Sequence, residues 1–482
     1  MPPSSPAVVP ARFSPNAIIA ALCLGSLSGA LMQSLVIPIQ GELPRLLGTA
    51  AANASWAVTA TLLAAAITMP VTGRLADMFG KKKVLVASAA LLVLGSVIAA
   101  LSSGLAPFLV GRALQGMAMG YIPVAISLVR EIAPVEKRAG AVAVVSATMG
   151  VGGAVGLPLS AWIAEDFSWH GLFWFSAILA LIVLVTTAVV VPAVHDAHPS
   201  HIDVPGIIGL AVGLSAVLVG VSKGSEWGWG SGRTTGSIAG GLVVLLVWGW
   251  YQLRHDDPIV DLRTTVRRPV LFTNIAALLI GFGMMAQMIV VPQLLEMPET
   301  TGYGLGQSIL EAGLWMAPGG LMMMLFAPVS SRLINTIGAK FTLAIGAVVI
   351  SAGYVVALGL MSAPWQLMVA TLVASAGVGI GYAAMPTLIL DNVPEHEAGA
   401  SVGVNGLMRS VGTTIAGAVM AAILTSRTIS LGGHVIPDQS AFQICFLVGA
   451  GATLVGALVC LLIPRQRTQQ TDPDPEPAVV SA

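Results

Sequence analysis

Arg112 and Gln115 stand three residues apart in a run, 106–129, that carries no other charge. One helical turn puts them on the same face, where the amide oxygen can accept from the guanidinium. A charge at the centre of a membrane helix costs about 2.5–3.5 kcal/mol on insertion scales, so it is held there by a polar partner or by a task. The task these residue types suit is proton coupling, because a fixed cation lowers the pKa of a carboxylate brought near it. Glu311, near the start of the run 307–330, is the carboxylate the sequence offers for that role. The alternative is snorkelling: Arg112 lies only about 9 Å into its run at the helical rise, within reach of the interface.

A second group is packed between two apolar runs. From Gly73 to Leu85 the chain holds four basic residues, Arg74, Lys81, Lys82 and Lys83, one acid, Asp77, and two glycines, Gly73 and Gly80. Glycine there allows a tight reversal. Asp77 is a short acid at a helix end, placed to meet helix-terminal amides or an arginine. Gly150 to Pro158 is a third group: Gly152 and Gly156 have the small-x-x-x-small spacing that lets helices approach, and Pro158 loosens the backbone ladder. Gln33, Ser34, Gln287, Asn405 and Arg409 are polar groups inside otherwise apolar runs and are candidates for a substrate path.

Other chemistry is excluded or weak. Cys23, Cys445 and Cys460 lie far apart in apolar runs, the positions of packed thiols rather than of a disulfide framework or zinc site. His195, His198 and His201 have ligand-like spacing, but Pro199 breaks any helix between them and a solvated loop explains them. No Gly-x-x-x-x-Gly-Lys-Ser/Thr stretch is present for ATP, and no clustered Ser/His/Asp or metal-ligand set lies in the apolar runs, which argues against a membrane-embedded lipid enzyme. Met322, Met323 and Met324 suit a helix interface, or an adaptable pocket wall.

The elements that must position these groups are membrane helices. The chain is 56% hydrophobic and 9% charged, against about 45–50% and 25% in soluble domains. Its net charge is zero, without a basic tail to attract nucleic acid. Runs of the length that crosses a ~30 Å hydrocarbon core occur at 17–39, 52–73, 83–103, 106–129, 139–164, 171–193, 204–222, 236–252, 269–293, 307–330, 339–361, 364–389, 399–424 and 441–463. The first is too long for a cleaved signal peptide. The seventh and eighth are the shortest, so twelve spans with a long central loop is the competing count. Arginine and lysine concentrate on one side when the N-terminus is inside, which places both ends in the cytoplasm with either count.

The first six and last six runs repeat each other. Arg74-Leu75 followed by Gly80 recurs as Arg332-Leu333 followed by Gly338, with Asn335 where Asp77 would be. Gly116 to Tyr121, then Glu131 and Pro134, recurs as Gly377 to Tyr382, then Asp391 and Pro394. Transporters built from such duplications bind substrate near the midplane between the halves and rock one half against the other.

The Gly73–Leu85 stretch resembles the signature loop between the second and third helices of the major facilitator superfamily, and Arg112-Ala113-Leu114-Gln115-Gly116 resembles its second signature. Gly150 to Pro158 is similar to the fifth-helix motif of the superfamily's exporters, departing from it where Leu157 separates Gly156 from Pro158 and Ser160-Ala161 replace paired glycines. Asp203-Val204-Pro205-Gly206, Trp227-Gly228-Trp229 and Asn405 to Gly412 resemble the fourteen-helix drug:proton antiporters, which favours fourteen spans. Many of that family carry an aspartate in helix one; here Gly29 to Pro38 holds none, which implies neutral or weakly acidic lipophilic substrates rather than quaternary ammonium compounds.

The expectation is therefore an all-α membrane protein of the major facilitator fold, two six-helix bundles plus two extra central helices. It divides into a cytoplasmic tail 1–16, a bundle 17–193, a linker with two helices 194–268, a bundle 269–463 and a disordered tail 464–482. The resemblance implies a monomeric, proton-coupled exporter of small lipophilic compounds in the plasma membrane, neither an enzyme nor the holder of a cofactor or metal. A proton-coupled uptake symporter is the runner-up. Gly73, Asp77, Gly80, Lys81, Lys82 and Arg332 are expected to form a conformational latch; Arg112, Gln115 and Glu311 the coupling site; and Gly152, Gly156 and Pro158 the exporter helix.

Overall fold

A computed structural model describes residues 13–134, 137–193, 201–431 and 434–464. Residues 1–12 and 465–482 of the expected tails, with Arg12, Arg465 and Arg467, lie outside the described residues, as do His195 and His198. With no water to pair backbone groups in hydrocarbon, long apolar runs close their hydrogen bonds within helices. Among the described residues, fourteen helices are long and apolar enough to cross a membrane. They are α1 (Pro15–Ser34), α2 (Trp56–Phe79), α3 (Lys81–Leu101), α4 (Leu105–Ile132), α5 (Arg138–Asp166), α6 (His170–Val190) and α7 (Val204–Ser222). The remainder are α8 (Gly232–Gln252), α9 (Arg268–Glu296), α10 (Ile309–Ile337), α11 (Ala339–Gly359), α12 (Pro364–Leu390), α13 (Ala398–Ser426) and α14 (Gln439–Leu461).

Boundaries follow local chemistry. Ser14, Asp203, Ser231 and Asp438 each cap a helix by accepting from an amide three residues on. Serine 231 starts α8 before the expected 236. Helix α1 stops at Ser34 instead of reaching 39, giving way to turns around Pro38, which has no N–H to donate. A short antiparallel hairpin, β1 (Thr428–Leu431) with β2 (His434–Pro437), joins α13 to α14.

The duplication is visible in the packing. In the first set α1 lies on α5, α2 on α4, and α3 on α4 and α6; in the second α9 lies on α13, α10 on α12, and α11 on α12 and α14. The sets meet through α5 against α10 and α2 against α13, so each presents its second and fifth helices to the other. The reversals after α2 and α10 are also equivalent, with Gly80 at φ 95° and Gly338 at φ 87°, a region that L side chains rarely enter. We call the end of the bundle that carries these two glycines the basic face.

Helices α7 and α8 pack antiparallel, and α7 also touches α2 and α13. Asp203 at the start of α7 accepts from Gln252 Nε2 at 2.6 Å and Tyr251 Oη at 3.0 Å on α8. The pair is held to α2 at both ends. Lys223 sits 5.2 Å over the Trp56 ring, bonds Ser55 and pairs with Glu226 at 3.0 Å, while beyond α8 Asp257 lies 3.8 Å from Arg74. The expected Asp-Val-Pro-Gly motif is thus a helix cap that clasps the neighbouring helix.

Candidate functional site

On the basic face, Asp77 at the end of α2 is 2% exposed. Its two carboxylate oxygens accept from the amides of Gly399 at 3.1 Å and Ala400 at 3.0 Å, the first residues of α13 in the other half. A buried carboxylate is costly unless it is hydrogen-bonded. Here two amides, the positive end of a helix dipole and Lys81 at 4.0 Å oppose that cost. Lys81 also pairs with Glu131 at the end of α4. Gly73 makes the approach possible: a Cβ on it would stand 2.1 Å from the Gly399 carbonyl oxygen. The neighbouring Arg130 donates to the Leu390 carbonyl at the end of α12, a second connection across the halves. A cavity of about 150 Å³ lies alongside, lined by Arg74, Asp257, His396, Glu397 and Ala400 among others.

Not all the expected latch residues join this cluster. Lys82 is half-buried, whereas Arg332 in the repeated loop is exposed. Its loop has Asn335, also exposed, where the first loop has Asp77. The carboxylate meets helix amides rather than an arginine of the second loop, so the contact between the halves is one-sided. That follows from the lost acid.

Arg112 is 1% exposed, inside the first bundle. Its Nε donates to the Ala57 carbonyl of α2 at 3.1 Å, and Nη1 to the Met32 carbonyl of α1 at 3.3 Å and to Gln115 Oε1 at 2.7 Å. Gln115 Nε2 donates in turn to Ser96 Oγ on α3 at 2.9 Å. The arginine does not snorkel; it ties four helices together. Gly116 lets α4 approach α2, since a Cβ there would meet the Thr61 carbonyl oxygen at 2.3 Å.

Glu311, the carboxylate the sequence offers for coupling, stands at the start of its run, as its position there implied. It is exposed, and with Ser308 it forms a capping box at the start of α10: the Ser308 amide donates to its carboxylate at 2.8 Å and its own amide to Ser308 Oγ at 3.2 Å. The physical reason is local, because a glutamate three residues after a serine at a helix start is best satisfied there. Every Asp and Glu whose side chain is described lies at a helix end or in a loop.

Helix α5 is sandwiched between α1 and α10. Gly152 and Gly156 face α1, where added Cβ atoms would stand 2.4 Å from the Leu27 carbonyl oxygen and 1.9 Å from Ser34 Oγ. Two residues back along the helix is the opposite side: Gly150 meets Met323, Ala154 meets Gly320, and Pro158 meets Gly313, all on α10. Met323 is buried at this seam, Met322 half-buried and Met324 exposed. Of the candidate path residues, Gln33 is half-buried, and Ser34 Oγ donates to the Leu31 carbonyl at 3.0 Å and the Gly152 carbonyl at 3.5 Å. Gln287 is buried on α9. Asn405 Nδ2 donates to Asn274 Oδ1 on α9 at 3.0 Å, and the Arg409 guanidinium lies 4.7 Å from the Tyr382 ring centre on α12. Asn274, an amide inside an apolar run, escaped the sequence reading although its type alone marks it.

Known proteins agree with this architecture. The family profile described as Major Facilitator Superfamily matches residues 22–417 and 273–481. An uncharacterised MFS-type transporter of Mycobacterium tuberculosis is 28% identical, the match covering 93% of this chain and 69% of that protein. The tetracenomycin C resistance and export protein of Streptomyces glaucescens is 26% identical over 91% of this chain and 81% of its own. A solved proton:xylose symporter, 15% identical, superposes with a TM-score of 0.64 over 93% of this chain and 96% of that one, a likeness of fold alone. The fourteen helices, the duplicated packing and the signature loop in place at the junction of the halves have the same explanation: the chain is a transporter belonging to the major facilitator superfamily.

Proposed function

We propose that this transporter exports small lipophilic compounds by alternating access, coupled to protons, with the Asp77 contact holding the basic face shut. The observation that carries the reading is the bridge from Asp77 to the first amides of α13, because it joins the two halves at one face and breaks when they part there. The bridge is directional in a useful sense. Protonation of Asp77 removes the charge that the two amides and the helix dipole favour, so the proton and the opening of the basic face are linked. Glu311, occupied by its cap on the exterior, takes no part. Arg112 and Gln115 then act by tying α1 to α2, α3 and α4, so that the first bundle moves as a body.

Export rather than uptake is supported by α5, whose glycine faces pack closely on both α1 and α10, and by the relative named for tetracenomycin C resistance and export. The test is accumulation of a lipophilic dye in inverted membrane vesicles whose interior is made acidic. Accumulation that requires the protein and collapses with the pH gradient supports the reading. Equal accumulation without a gradient, or uptake only into right-side-out vesicles, would overturn it.

A further inference from the structure

Two guanidinium groups are buried in the membrane-spanning helices, and they are treated differently. Arg112 has Nε and Nη1 matched to carbonyl and amide oxygens. Arg409 is 9% exposed and, among the described residues, stacks on Tyr382 without a hydrogen bond or an ion pair. It is the twelfth residue of α13, about 16 Å from the basic-face end at the helical rise, close to the middle of a ~30 Å hydrocarbon core. One turn nearer that face, the Asn405–Asn274 contact uses one atom of each amide; Asn274 Nδ2 and Asn405 Oδ1 remain buried without partners. Buried polar groups are paired in the great majority of cases, so two unpartnered amide atoms one turn from a guanidinium that makes no hydrogen bond mark a place where something else supplies the partners. Among the described residues no carboxylate stands there to pair with it: each described Asp and Glu side chain lies at a helix end or in a loop.

We propose that Arg409, Tyr382 and the Asn274–Asn405 pair bind the anionic group of a lipophilic aromatic acid, a carboxylate or an acidic phenol. The planar guanidinium fork matches two oxygens of such a group. The Tyr382 ring holds the fork from one side, and its hydroxyl lies 3.6 Å from Met149 Sδ on α5, where an adaptable apolar wall can take the rest of the ligand. The free donor of Asn274 completes the anion's shell. The proposal rests on the export reading and narrows it: the interior cation selects lipophiles that carry negative charge and repels lipophilic cations.

The test uses the whole protein in nanodiscs and three probes with one apolar body: pyrenebutyrate, pyrenebutanol and pyrenebutyltrimethylammonium. Binding is read by energy transfer from the protein's tryptophans to pyrene. The wild type should bind the carboxylate about tenfold or more tighter than the alcohol, as a charge-assisted hydrogen-bonded pair requires, and the ammonium probe weakest. Arg409→Gln should bring the carboxylate-to-alcohol affinity ratio down to about one, whatever it does to the affinity of both probes; Arg409→Lys, which keeps the charge and loses the fork, should retain part of the ratio. If the wild type binds alcohol and carboxylate alike or favours the ammonium probe, the proposal fails whatever the variants do. A preference that survives in folded Arg409→Gln also overturns it and leaves Arg409 a packing residue. Export is judged separately in inverted vesicles with pyrenebutanol. Gradient-driven accumulation of the alcohol without anion preference keeps export and removes this site; anion preference without accumulation keeps the site and removes export.

Discussion

Of the two partners the sequence offered Asp77, helix-terminal amides or an arginine, it meets the amides, those of Gly399 and Ala400, and the latch we propose rests on that contact. Asp77→Asn keeps the shape and loses the charge that two amides and a helix dipole favour. Transport by the variant should fall by an order of magnitude or more while membrane insertion is unchanged; well-expressed Asp77→Asn with wild-type transport would remove the latch. Gly73→Ala tests the same contact from the side of space. The added methyl would stand 2.1 Å from the Gly399 carbonyl oxygen, so α2 and α13 must part, and overpacking of this kind costs about 1–3 kcal/mol. A lowered melting temperature together with impaired transport is expected, and a cysteine accessibility assay at Ala400 should show the basic face more open. Arg112→Ala should impair transport more than Arg112→Lys, because the lysine can keep one carbonyl contact while alanine leaves those of α1 and α2 unmet.

Element by element, legibility followed the range of the interaction. Spans were readable because hydrocarbon imposes length and composition directly, and the repeat was readable because duplicated loops keep Arg74 and Arg332, Gly80 and Gly338, in register. The Arg112–Gln115 bond was readable as a one-turn pair. What could not be read was tertiary: that Asp77 would find Gly399 and Ala400, more than three hundred residues away in sequence, or that Gly152 and Gly156 face α1 while their neighbours face α10. For Glu311 the local part was legible, since a serine three residues before it has the spacing of a capping box, and that is the contact it makes. The small-residue faces of α5 carry their own prediction. Gly156→Leu should disrupt packing on α1 and reduce folded protein, whereas Val155→Leu, at an exposed position of the same helix, should be neutral in a detergent melting assay.

For the molecule as a whole, reporter fusions after Gly80, Pro134 and Asp257 should report one side of the membrane and fusions after Gly48 and Trp229 the other. A Trp229 fusion on the Gly80 side would reduce the count to twelve. The central pair has a further consequence. Among the described residues its polar fastenings, Lys223 and Glu226 with Ser55 and Trp56 and Ser222 with Thr59 at one end and Asp257 with Arg74 at the other, are to α2, whereas towards the second bundle Leu214 and Leu218 of α7 meet Leu407 through apolar contact. The α7–α8 pair is therefore expected to move with the first bundle and to slide against the second. Locking Thr59 to Ser222, whose hydroxyls already lie 3.2 Å apart, through an engineered disulfide in a background without the native cysteines should leave transport running. Locking Leu214 to Leu407 in the same way should stop it.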